Sequence, residues 1–286
     1  MCISVLVLVL LIAKISITQI TLAFSSVKPA WLIVAGLLLI PNILVQVWKW
    51  YYLLKWVKKD VSFPAAFRSL IIGYPLGFIT PGRVGDVGRA FFVQEIPHKL
   101  ALKLAILDKL TNLIVVLFIG AIAILMLDIP TVPAAVTSIL YILIFLLMVL
   151  VFAVCVSNQL QNKLRHLLNN QQINSSRLLV TFSCSLIFTF IFYTQLSLLA
   201  YGFSQLNIFA AYTASAAAMM AKTVLPIAFA DLGIRESAVI YFFGRIGLEP
   251  AAAFYAALLL FLINVALPAL LAIPLLLQTK KRTMQP

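Results

Sequence analysis

The sequence has little charge: only 10% of its 286 residues are Asp, Glu, Lys or Arg, against about 25% in a soluble domain. A chain that is also 64% hydrophobic, with a mean hydropathy of +1.11, lacks the polar surface to cover itself in water, which places it in a membrane. Acids are scarcest, 8 against 21 Lys and Arg. The resulting +13 does not indicate a nucleic-acid partner, because the basic residues sit in short clusters between apolar runs and read as topology signals. Histidine is nearly absent. His98 and His166 both fall in expected cytoplasmic loops, which gives little support to a His-based triad or a metal site. The three cysteines, Cys2, Cys155 and Cys184, support neither a disulfide framework nor zinc spacing. No Walker A loop or dinucleotide fingerprint occurs, so no cofactor and no direct coupling to ATP is expected.

What the chain does have is apolar runs. A helix needs about 20 such residues to cross the hydrocarbon core, and six segments qualify: 3–24, 30–54, 104–127, 133–156, 178–201 and 251–277. The first has no basic n-region and no small-residue cleavage site, so it reads as a mature helix rather than a signal peptide. The longest polar stretch, 157–178, is too short for a soluble domain of usual size. Activity is therefore expected within the membrane.

Two further apolar regions are broken before they reach spanning length. Residues 65–93 are interrupted at TPGRVGD by Pro81, Gly82 and Gly85, and residues 213–245 at PIAFADLG by Pro226 and Gly233. Pro and Gly interrupt helices, and arms of about 10 to 15 residues at 1.5 Å rise are too short to cross. Both regions read as re-entrant broken-helix hairpins, a backbone tolerated at membrane depth only where it is buried in protein or lines a watery cavity. Positive-inside counting agrees. With Lys55, Lys58 and Lys59 cytoplasmic, Lys99, Lys103, Lys163, Arg165, Arg177, Lys280, Lys281 and Arg282 fall on the same side, leaving Lys28 outside and Arg245 at an edge. Both termini are then cytoplasmic. The order span, span, hairpin, span occurs twice with opposite polarity, so 1–127 and 128–286 are expected to be the inverted-topology repeats of one all-α polytopic membrane domain.

Charges inside such segments are costly, about 2.5–3.5 kcal/mol at a helix centre, and each needs a reason. Arg83, Asp86 and Arg89 recur every three residues at the first break, two positives flanking one negative, which suits an anionic lipid headgroup held by guanidinium contacts and a helix N-terminus. Asp108 and Lys109 open the third span, and Asn112 shares a face with Asp108. Lys222 sits among Ala and Met with no acid within a turn, so it reaches an aqueous cavity or pairs with Asp86 or Asp231. Arg235 and Glu236 open the second arm of the second hairpin. The substrate-binding set is thus Arg83, Asp86, Arg89, Asp108, Lys109, Lys222, Arg235 and Glu236. Asn42, Gln46 and Lys49 form a polar stripe that helix-to-helix hydrogen bonding and a snorkelling Lys49 explain. Lys14 has no partner in sequence.

On these residues the chain resembles the lysylphosphatidylglycerol synthase transmembrane region family, also called flippase-like or UPF0104. TPGRVGDVGRA at 80–90 is similar to its Pro-Gly-Arg-hydrophobic-Gly-acidic-x-x-Arg signature, with Asp86 where Glu is commoner. LDKLTN at 107–112 resembles its acidic-basic-x-x-Asp element, with Asn112 in place of the last acid. LPIAFADLGIRES at 225–237 resembles its Pro-x-x-x-Gly-x-Gly-x-x-Glu element, with Ala230 and Asp231 where a glycine is usual. The resemblance implies translocation of an anionic or polyprenyl-linked lipid in the bacterial cytoplasmic (inner) membrane, without the cytoplasmic synthase domain. Membrane lipids, and a separate lipid-modifying or envelope-biosynthesis enzyme, are the partners it implies. An integral-membrane transferase acting on lipid or polyprenyl-phosphate substrates and a non-transporting assembly partner are the competing readings; converging carboxylates would favour the enzyme.

Overall fold

The computed structural model describes residues 28–127, 133–168, 174–225 and 231–283. The expected span at 3–24, with Lys14, lies outside the described residues, as does the expected break residue Pro226. Among the described residues there is no β-strand, and five helical stretches are long and apolar enough to cross a bilayer: Pro29–Leu54, His98–Met126, Ala134–Val154, Ser175–Tyr201 and Pro250–Leu275. These are the other five expected spans. The main difference is at His98, where the helix begins six residues before the expected apolar boundary at 104, because the amphipathic entry LALKLA is itself helical.

We label the helices α1 (Pro29–Leu37), α2 (Leu39–Lys55), α3 (Phe63–Phe78), α4 (His98–Met126), α5 (Ala134–Val156), α6 (Asn158–Leu167), α7 (Ser175–Tyr201), α8 (Ile208–Val224), α9 (Ile234–Gly244), α10 (Pro250–Phe261) and α11 (Leu267–Thr283). A 3-10 arm, Val84–Phe92, follows α3, and one π-helical stretch, Leu262–Ala266, joins α10 to α11. Polar side chains mark several helix starts. Ser62 accepts from Ala65 N at 3.3 Å before α3, Asn174 from Arg177 N at 2.9 Å before α7, and Asn207 from Phe209 N at 2.9 Å before α8, each satisfying an N–H the helix leaves open.

Both broken regions fold back on themselves. The 3-10 arm packs along α3, and α9 along α8. The first turn is closed by Thr80, whose Oγ1 accepts from Gly85 N at 2.7 Å, and by Gly82 at φ 55°, a conformation glycine adopts without steric cost. A Cβ at Gly85 would overlap the main-chain oxygen of Leu76. At the second break Gly233 takes φ 86°, and its N–H donates to Glu236 Oε2 at 2.6 Å.

Each hairpin organises a core of its own. One core joins α2, α3, the 3-10 arm, α4 and α11 around Trp50, Leu53, Leu70 and Leu104. The other joins α7, α8, α9 and α10 around the alanines of α8 with Leu196, Phe243 and Leu260. Small residues bring α8 close to α4, where Gly120 faces Met220. The packing is reciprocal, since α8 lies on α4, the span after the first hairpin, while α3 lies on α11, in the span after the second. At the rim, α5 keeps Ile139, Phe145 and Phe152 exposed, an apolar outer surface of the kind a bilayer accommodates.

Candidate functional site

The most buried charges converge on Asp108. Lys49 from α2 lies 2.7 Å from Asp108 Oδ1, and Arg89 from the 3-10 arm bonds the other carboxylate oxygen. The Lys49 ammonium also donates to Asp108 main-chain O (3.1 Å), Thr111 Oγ1 (2.9 Å), Asn112 Oδ1 (2.8 Å) and Ser185 Oγ (2.7 Å). Three N–H donors thus face five oxygens. The Arg89 guanidinium stacks 4.3 Å from the Trp50 ring centroid, and Trp50 Nε1 donates to Ser69 Oγ at 2.8 Å. This network stitches α2, α3, the arm, α4 and α7 together. It corrects the sequence reading of Lys49: at 2% exposure the side chain does not snorkel but serves as the counter-ion of a buried acid.

A second cluster at the first break is open. Arg83 stands at φ 55°, with Nε 3.5 Å from Asp86 Oδ2. Lys109 lies 4.0 Å from the same oxygen and donates to Arg83 main-chain O at 2.5 Å. Exposures of 22%, 29% and 39% for the side chains of Arg83, Asp86 and Lys109 separate this group from the sealed Asp108 network. Arg83 also lies 5.6 Å from the ring centroid of Tyr74, whose hydroxyl accepts from Gln46 Nε2 at 3.1 Å. Asp86 is aimed by a notch, its carboxylate filling the space a Cβ at Gly77 would occupy. Gly77→Ala is therefore expected to evict Asp86 and release Arg83 and Lys109, cutting activity about tenfold or more while the chain still inserts, since a charge-assisted contact is worth ~1.5–3 kcal/mol. Activity measured against membrane abundance checks this; an unchanged ratio would show that Asp86 has no positioning role.

At the second break Lys222 bonds Asp231 at 2.7 Å, resolving which acid it meets. Asp231 holds φ 61° and is buried. Arg235 and Glu236 form a pair deeper in the fold, Nη2 to Oε1 at 2.5 Å with both residues buried, and Arg235 lies 4.9 Å from the Phe261 ring centroid. Phe261 stacks on Phe78, ring centroids 6.0 Å apart, so the end of α3 meets the end of α10. The breaks are neighbours: Asp231 is within electrostatic reach of Arg83 and Lys109. Together the two breaks carry Arg83, Lys109 and Lys222 against Asp86 and Asp231, one positive charge in surplus.

Of the eight residues expected at the site, Arg83, Asp86, Lys109 and Lys222 gather at the two breaks. Arg89 and Asp108 belong to the sealed network behind them, and Arg235 and Glu236 satisfy each other. Sequence reasoning missed the roles of Lys49, Trp50, Ser69 and Ser185. Only the Asn42, Gln46, Lys49 stripe hinted at this face.

Taken together, the spanning helices and the two charged breaks define a multi-pass α-helical membrane protein with ionisable groups gathered in its interior. Within that class, the chain belongs to the family described as Lysylphosphatidylglycerol synthase TM region, which it matches over residues 1–272. Comparison with curated proteins finds no significant match.

Proposed function

We propose that the protein is a flippase-like transporter that moves an anionic or polyprenyl-linked lipid across the bacterial cytoplasmic membrane, with the facing hairpin breaks as the headgroup site. The carrying observation is the partly exposed rim of Arg83, Lys109 and Lys222 around Asp86 and Asp231. Its surplus positive charge attracts an anion, and its acids limit the cost of keeping three cations in an apolar fold. The family supports a lipid as the cargo.

An inverted repeat of re-entrant hairpins underlies this reading. The helix-start residues Ser62 and Asn207, the break residues Pro81 and Pro226, the acids Asp86 and Asp231, and the glycines Gly88 and Gly233 each stand 145 positions apart. Exchanging the halves also turns the packing of α8 on α4 into that of α3 on α11. Such repeats place the substrate near the midplane between broken helices. Both termini are cytoplasmic in this arrangement, and a separate lipid-modifying enzyme would supply the cargo. The transferase alternative draws less support, because Asp86, Asp108, Asp231 and Glu236 each face a cation rather than another carboxylate, the pattern of a charge-balanced binding site rather than of an acid pair or metal cage.

The test is reconstitution in vesicles with headgroup-labelled phosphatidylglycerol, reading transbilayer movement by chemical quenching. Arg83→Ala and Lys109→Ala are expected to slow movement about tenfold or more at normal protein content, with Arg83→Lys intermediate, because it keeps the charge but loses the guanidinium fork. Arg235→Ala should instead lower protein content, since it strands Glu236. Native-rate movement by Arg83→Ala at normal content would overturn the reading.

A further inference from the structure

Three polar side chains in the middle of the bundle end without a hydrogen bond. Asn42 of α2 and Thr189 and Tyr193 of α7 are 2%, 1% and 3% exposed, but Asn42 Nδ2, Thr189 Oγ1 and the Tyr193 hydroxyl find no partner among the described residues. Asn42 uses its other amide atom, Oδ1, to accept from Gln46 Nε2 at 2.8 Å. One end of the Asn42 amide is therefore left over whichever way round the two amides stand. Asn42 and Thr189 lie beside the midpoints of the spans Pro29–Leu54 and Ser175–Tyr201, the depth at which bulk water is farthest away and an unmet polar group is most costly.

Three contacts fix how α1 and α2 run along α7. Lys28 N donates to Gly202 O at 3.0 Å, Gln195 Nε2 to Ala35 O at 2.9 Å, and Lys49 Nζ to Ser185 Oγ at 2.7 Å, so the helices are antiparallel. Asn42 stands halfway between Ala35 and Lys49, and Thr189 within one residue of halfway between Ser185 and Gln195. The two are level. Asn42 is also about two helical turns from both Ala35 and Lys49, which puts it on the face that those residues turn to α7. Tyr193 follows Thr189 by one turn, and long side chains lean towards the N-terminus of their helix, which carries the phenol hydroxyl back towards the level of Thr189. Three unmet groups at one sealed level match the roughly three hydrogen bonds that a buried water makes. An amide N–H donates to such a water, and each hydroxyl donates or accepts.

We infer that the α2–α7 interface holds a resident water molecule at mid-membrane depth, bound by Asn42, Thr189 and Tyr193. It ends a polar run that begins beside the first break, where the Tyr74 ring centroid lies 5.6 Å from Arg83. Gln46 Nε2 continues the run by donating to the Tyr74 hydroxyl and to Asn42 Oδ1. The water carries it across to α7, one turn from Ser185 and the Asp108 network. This site does not depend on the headgroup reading of the hairpin breaks.

The experiment is X-ray hydroxyl-radical footprinting of the full chain in nanodiscs, read by mass spectrometry after rapid mixing into water that carries heavy oxygen. Radicals form where water sits, so Tyr193 should be oxidised despite its burial, while Phe243, 0% exposed and packed among apolar side chains, should not. The oxygen gained by Tyr193 should still be the light isotope when surface residues already gain the heavy one, because a resident water exchanges more slowly than bulk. Asn42→Leu combined with Thr189→Val replaces two polar ends by apolar ones of similar shape and should remove the Tyr193 label. Tyr193 as unlabelled as Phe243, heavy-oxygen uptake at the surface rate, or full label in a folded double variant would each overturn the proposal. So would label that appears only when chloride is replaced by gluconate, since an anion would then occupy the site. The native-protein arms decide the matter even if the double variant does not fold.

Discussion

Asp108→Ala is expected to be among the most damaging single substitutions in the chain, because it strands two cations at once. Lys49 and Arg89 are 2% and 8% exposed, and Asp108 is the acid that each of them meets. Removing one partner of a buried pair costs about 3–5 kcal/mol, since the charge left behind is neither solvated nor compensated. Thermal unfolding in detergent, followed by fluorescence-detected size exclusion, should show a large loss of folded protein. Lys49→Met introduced alongside should recover part of it by removing one stranded charge, leaving Arg89 stacked on Trp50. An Asp108→Ala protein as stable as the native one would mean that the network does not hold α2, α4, α7 and the 3-10 arm together.

Gly120→Leu should be the second large effect, acting through shape rather than charge. A Cβ at Gly120 would overlap Met220 Cβ and come within 3.0 Å of the main-chain oxygen of Ala216, so even the first added carbon forces α8 away from α4. Overpacking of this kind costs about 1–3 kcal/mol. Here the shift also moves the arm that carries Lys222, so transport should fall further than stability does. Gly36→Leu is the matched control, because nothing lies within 4 Å of the site its Cβ would take. Similar unfolding and transport for the two variants would show that the α4–α8 contact is not tight.

The spans and the breaks were legible in the sequence because each is a local property. Hydropathy over 20 residues identifies Ala134–Val154 without reference to the rest of the chain, and Pro81 with Gly82 stops a helix wherever they stand. The Asp108 network was not legible, since its bonds close over long separations. Lys49 and Ser185 are 136 residues apart, and nothing near Lys49 announces a partner, so a lysine six residues from the end of α2 reads as an interfacial anchor. Arg89 misled for the opposite reason. Its spacing from Arg83 and Asp86 grouped it with them as a headgroup ligand, whereas the arm directs it to Asp108, 19 residues away. Lys222 fell between these cases: the need for a watery cavity or an acid was evident, but Asp231 as its partner depended on how the break folds.

The 3-10 conformation of Val84–Phe92 has a consequence for length. Nine residues at ~2.0 Å rise extend about 18 Å, whereas the eleven α-helical residues of α9 at 1.5 Å extend about 17 Å. The two return arms are therefore nearly equal rods built from unequal numbers of residues, each reaching a little over half of a hydrocarbon core ~30 Å thick. The difference in winding thus gives two arms that differ by two residues almost the same length. The spacing of 145 that holds from Ser62 and Asn207 through Gly88 and Gly233 slips by one at Arg89 and Arg235, within the segment where the winding changes.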